Sequence, residues 1–131
     1  MQKKLFRVLL VLLLFFAIIG SAGIFTKAIQ PKLLSCFLTS ETYTVVMDEN
    51  GFKPSIFSVK RCTKVVFENN GIALHWPASD LHPTHGIYSE FDPKTGILSN
   101  KSWSFVFDRV GTWKFHDHLS PLMYGVITVT P

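Results

Sequence analysis

GTWKFHDHLSPLMYGVITV, residues 111–129, is the stretch that decides how the rest of the chain is read. Trp113 and Phe115 fall two residues apart, and on an extended strand residues two apart project to the same face. GVITVT, residues 125–130, resumes an extended pattern after the intervening loop. The same period runs upstream. TYTVVMD (42–48) puts Tyr43, Val45 and Met47 on one face, and SWSFVF (102–107) aligns Trp103, Phe105 and Phe107. SIFSVK (55–60) and KVVFEN (64–69) follow the turn-rich stretches ENGFKP and RCT. No helical pattern of comparable strength occurs after Thr42. The expectation is an all-β domain, a Greek-key β-sandwich of about seven strands.

Pro77 to Lys101 breaks the rhythm with proline, glycine, Asp, Ser and Asn and shows no clean strand. A connection this long is functional or disordered in most domains. Its Leu81, Ile87, Tyr88, Phe91, Ile97 and Leu98 predict that it packs against the sandwich.

The N-terminus has a different composition. Val8 to Phe25 is an uncharged, mostly apolar run preceded by Lys3, Lys4 and Arg7 and followed by Lys27. As a helix it would span roughly 27 Å at about 1.5 Å per residue, close to the hydrocarbon thickness of a bilayer. The basic flank stays in the cytoplasm by the positive-inside rule, so the reading is a single-pass signal anchor and linker at 1–35 and an extracytoplasmic domain at 36–131. Gly20, Ser21, Ala22 and Gly23 also offer a signal-peptidase site, and cleavage there would release a secreted domain.

The net charge of +4 dissolves when it is divided along the chain. Residues 1–35 carry five of the thirteen Lys and Arg and no acid; the remainder carries eight bases against nine acids. The domain is nearly neutral and has no basic stripe, which excludes nucleic acid as a partner. Cys36 and Cys62 are the two cysteines. An oxidising compartment permits them to pair, and two free thiols is the other reading.

All five histidines, His75, His82, His85, His116 and His118, lie within 44 consecutive residues. His116 and His118 share one side of a strand and can converge on one ion, while Asp117 faces the side of Trp113 and Phe115. A third nitrogen from His75 would complete a three-imidazole set, with His82 and His85 on the long connection as further candidates. Neutral imidazole suits copper, zinc and nickel, and among divalent ions Cu(II) binds such ligands most tightly. Asp80, Glu90 and Asp92 are candidates to orient imidazoles, against a default of exposed loop acids. Trp76, Trp103 and Trp113 read as core residues.

GFKPSIFSVKRCTKVVFENNGIALHW (51–76) resembles the opening half of cupredoxins, the plastocyanin-like copper proteins, and residues 111–129 resemble their closing strand, ligand loop and final strand. The resemblance covers most of residues 42–131. It implies His75 as the first copper ligand and Met123, in a Met-x-Gly arrangement, as the weak axial one. The pattern departs where the family has its ligand cysteine: Asp117 stands there, and Ser120 stands near the position of the next ligand histidine. A blue-copper centre depends on that thiolate, so the departure argues against a type 1 site.

GTWKFHDH is similar in turn to the GT-x-x-Tyr-His-Ser-His motif of multicopper oxidases, and His75 and Trp76 retain part of their His-Trp-His-Gly partner motif. That resemblance implies His75, His116 and His118 as ligands of a non-blue copper. The functional expectation is a membrane-tethered copper-binding protein, a non-enzymatic one, in copper handling or electron transfer with a redox or copper-transfer protein as partner, and with zinc as the competing ion. Two other readings stand beside it: a metal-free interaction module on the same fold, and a small copper enzyme acting on an oxygen species.

Overall fold

The computed structural model describes Cys36 and residues 41–131, and the expected N-terminal anchor lies outside the described residues. Among the described residues no helix is long and apolar enough to cross a membrane. The domain is built from eight strands: β1 (Thr42–Asp48), β2 (Gly51–Lys53), β3 (Ile56–Lys60), β4 (Lys64–Asn69), β5 (Pro77–Ser79), β6 (Ser102–Val106), β7 (Gly111–Asp117) and β8 (Ser120–Thr130). They form two four-stranded sheets, β2-β1-β4-β6 and β3-β8-β7-β5. The pairs β1–β4 and β3–β8 are parallel, and the other pairings are antiparallel. This is the expected all-β sandwich, with eight strands where about seven are expected; β2 and β5 are three residues each and too short to show a period.

The alternation becomes burial. Val45 and Met47 of β1, Val65 and Phe67 of β4, Phe57 and Val59 of β3, Phe115 of β7 and Ile127 and Val129 of β8 all point between the sheets and are buried. Phe67 touches Phe115 at 5.8 Å and Phe91 at 5.5 Å, so a ring from each sheet meets one from the long connection. That connection closes one side of the sandwich. Tyr88 packs edge-on against Phe105 and lies 4.8 Å from Trp113, and Phe91 stacks on Trp103. Tyr88, Phe91 and Ile97 are buried as expected, whereas Leu81, Ile87 and Leu98 are exposed. Each fully buried ring contributes about 1.5–3 kcal/mol, which ties the connection firmly to the body.

The two poles of the sandwich differ. At one, Lys60 of β3 pairs with Thr130 of β8 and Gly111 of β7 with Val129, next to Cys62, which is disulfide-bonded to Cys36. At the other, β7 ends at Asp117 and β8 begins at Ser120. Asn69 shapes the chain there: its side-chain amide donates to the Ala73 and Ile97 carbonyls and its oxygen accepts from Gly71 N–H. This folds the 70–74 turn and delivers His75 to a β-bridge with Ile97.

Candidate metal centre

Strand β7 sorts its last residues to opposite sides. Phe115 and Asp117 face inward and are wholly buried, while His116 lies under the 80–85 segment of the long connection and is also buried. His118 continues the strand direction, with its N–H donating to the Trp76 carbonyl at 2.8 Å and its ring 4.5 Å from the Trp76 indole.

The long connection brings the other two outer histidines. His85 N–H donates to Leu81 O at 2.6 Å and Ile87 N–H to Asp80 O at 2.8 Å, which curls the segment back over β7. His85 itself sits at φ 53°, a left-handed conformation uncommon outside glycine and asparagine and held here by its side-chain partners. The His82 ring lies 5.3 Å from that of His116 and 4.8 Å from that of His118, and His85 lies at the same two distances from them. One potential donor atom each from His82, His116 and His118 falls within 4.8 Å of the other two. His85 Nε2 is 2.9 Å from His118 Nδ1.

Carboxylates hold three of the rings. Asp92 accepts from His85 Nδ1 at 2.5 Å, from Trp76 Nε1 at 2.8 Å, and from both the backbone N–H and the ammonium of Lys94. Burial would raise the Asp92 carboxyl, but the hydrogen bonds from Lys94, His85 and Trp76 more than offset it and hold the group well below the usual carboxylate range. Asp80 lies 3.0 Å from His116 Nδ1. Asp117 lies 2.6 Å from His75 Nδ1 and also accepts from the backbone N–H groups of Trp76 and Leu119. Burial, followed by the neighbouring rings of His85, His82 and His116, pulls His118 below the ordinary histidine value, which favours the neutral, ligating form. The Nε2 atoms of His75 and His116 are buried with no hydrogen-bond partner.

The structure thus gathers His82, His116 and His118, with His85 beside them. It sets His75 apart on the inner side of β7, on Asp117, so the third imidazole of the group comes from His82. Met123 is partly buried against the core. No type 1 cysteine site exists, since Cys36 and Cys62 are joined to each other. Asp80 and Asp92 are partners of histidines rather than free loop acids, and Glu90 is the exposed one, paired with Arg109. Trp76 is a wall of the histidine cluster. Its tie to Asp92 spans sixteen residues and carries no periodic signal in the sequence.

A three-imidazole group fits a first-row metal ion. Ligand nitrogens about 2.0–2.1 Å from such an ion lie about 3.3–4.2 Å apart, so the group closes on one with side-chain shifts of roughly 1 Å. The exposed position of His82 on the connection gives it room for that movement.

No protein-family model matches the sequence, and no curated protein matches it. Solved structures do share the fold. A purple cupredoxin from Nitrosopumilus maritimus superposes with a TM-score of 0.58 at 17% identity, over 66% of this chain and 98% of its own. A reduced amicyanin variant gives 0.59 at 19% identity over 67% and 81%, and a fern plastocyanin mutant 0.55 at 24% over 67% and 100%. The domain has the cupredoxin-like fold, and on its surface a histidine cluster able to coordinate a metal ion.

Proposed function

We propose that this chain is a membrane-tethered, extracytoplasmic cupredoxin-fold protein that binds copper at a non-blue site made by His82, His116 and His118, and that it serves in copper handling or electron transfer with a protein partner. The observation that carries the reading is the convergence of these three imidazoles, one of which, His116, keeps a buried Nε2 with no partner. A buried polar atom without a partner is costly, and a metal ion is one group that satisfies it. An all-imidazole set favours Cu(II) over Zn(II) by intrinsic affinity. The apolar run from Val8 to Phe25 supports the tether, and the disulfide is in keeping with an oxidising compartment.

The test is metal analysis and EPR of the detergent-solubilised full chain after Cu(II) addition. One copper per chain with only weak visible absorption is expected, and substituting His116 and His118 together with alanine abolishes it. His82→Ala weakens binding, and His75→Ala leaves copper affinity within a few-fold. Failure of the wild-type chain to bind metal favours the interaction module instead, the reading that the missing ligand cysteine supports.

A further inference from the structure

We propose that two carboxylate relays, Asp80 to His116 and Asp92 through His85 to His118, set His116 and His118 as Nδ1–H tautomers that offer Nε2 to the metal, and that His85 is a positioning residue and not a ligand. The inference rests on the metal-binding reading above and names how that site is built.

The argument follows the protons. The Asp92 carboxylate is acceptor-only and already takes Lys94 N–H and Trp76 Nε1–H on Oδ1 and the Lys94 ammonium on Oδ2, so the His85 Nδ1 facing Oδ2 at 2.5 Å must donate. A neutral His85 that carries its proton on Nδ1 has a lone pair on Nε2. The atom opposite that lone pair, His118 Nδ1 at 2.9 Å, is then the donor, and the free lone pair of His118 is on Nε2. At His116 the logic is shorter. Nδ1 faces the Asp80 carboxylate at 3.0 Å and donates to it, which leaves the lone pair on Nε2, the atom that is buried without a partner.

Both ring nitrogens of His85 are therefore engaged, one by Asp92 and one by His118, and neither is left for an ion. A histidine ligand that donates its second N–H to a carboxylate or another acceptor is fixed in ring angle and made a stronger base. Here the acceptor for His118 is another histidine, itself held by Asp92.

Long-range proton–nitrogen NMR of the imidazoles in the metal-free full chain in detergent reads the tautomers directly. Nδ1–H is expected on His85, His116 and His118, against the Nε2–H form that the free histidine side chain prefers; Nε2–H on His118 overturns the relay. With Zn(II) as a diamagnetic probe, the Nε2 signals of His116 and His118 should move as ligands while His85 keeps its Nδ1–H pattern. A direct ligand shift at His85 overturns its assignment as a positioning residue. His85→Ala should keep one metal per chain, lower Zn(II) affinity about 10–100-fold and leave His118 a tautomer mixture. His85→Gln, whose amide can donate to Asp92 and accept from His118, should recover much of the affinity; complete loss of metal in both variants overturns the proposal. If the wild-type chain binds neither Zn(II) nor Cu(II) while the three Nδ1–H tautomers are present, the metal reading and the ligand half of this inference fall and the hydrogen-bond relay is upheld.

Discussion

Asp117 holds His75 through a 2.6 Å contact on the inner side of β7, the side away from His116. The same carboxylate accepts from the Trp76 and Leu119 backbone amides, so one buried side chain satisfies three donors at the pole where the histidines gather. Asp117→Ala strands the buried His75 Nδ1 and takes the partner from the half-buried Trp76 and Leu119 amides. At about 1–3 kcal/mol for a buried unsatisfied group, with less for the two half-buried amides, the expected loss is about 2–3 kcal/mol, read from the urea midpoint of the metal-free protein. A loss under about 1 kcal/mol would show that these groups find other partners.

Asp117 also stands where the resemblance to cupredoxins puts a thiolate. Asp117→Cys places sulfur beside His75, but Ser120, its register partner on β8, replaces the next ligand histidine, and His118 lies at the Trp76 face. The single variant is expected to give at most a weak or unstable coloured copper complex. Adding Ser120→His should move the spectrum toward an intense thiolate-to-copper band. A fully blue single variant would mean that an existing histidine reaches the inner side of β7.

The sandwich was legible because period-two alternation survives wherever one face of a strand is buried and the other is solvated, as in β1 and β3. β5 was not, since all three of its residues are buried and no alternation is left. The split of His116 and His118 from Asp117 was legible for the same reason. What lay opposite each was not: Asp80 meets His116 from 36 residues away and Asp117 meets His75 from 42, and these pairings follow from β5 lying beside β7. His82 enters the cluster in place of His75 because the connection folds back over β7, which no local pattern encodes.

Cys36 and Cys62 close a loop with a sequence separation of 26. A cross-link of that span removes unfolded-state entropy equivalent to about 3 kcal/mol. Reduction, or Cys36→Ser, should lower the unfolding free energy by roughly that amount, and the loss should be the same with and without Cu(II)-binding histidines because the bond sits at the opposite pole. Equal stability of oxidised and reduced protein would show that the pairing contributes nothing in solution.

Gly125 faces Phe115 across the β7–β8 ladder. A Cβ at this position would collide with the Phe115 ring and with the Ser55 carbonyl oxygen, which accepts from Val126 N–H. Backbone cannot yield as a side chain can, so Gly125→Ala should cost on the order of 3 kcal/mol. Phe115→Leu in the same chain frees the ring side and not the carbonyl side. The double variant should therefore recover part of the Gly125→Ala loss relative to Phe115→Leu alone, a coupling visible in a double-mutant cycle. Strict additivity would place the whole clash at Ser55.

Tyr88 gives the domain an alkaline limit. Burial, and then the hydrogen bond and charge of Asp108, raise its hydroxyl well above the ordinary tyrosine value, with the Arg109 guanidinium over the ring opposing only in part. Unfolded, the same hydroxyl ionises near pH 10. An acid whose folded pKa is raised contributes its stability fully below the unfolded value and loses it as pH climbs beyond, because the unfolded state then releases a proton that the folded state keeps. Wild-type protein should thus be more stable than Tyr88→Phe at pH 8, through the bond to Asp108, and the gap should narrow progressively above pH 10. Other groups that titrate there, the lysines among them, cancel in the comparison. Urea unfolding of both proteins between pH 8 and 11 measures the gap. A gap that stays constant across that range would mean that Tyr88 ionises in the fold as readily as in the open chain, and that the contact with Asp108 does not hold its proton.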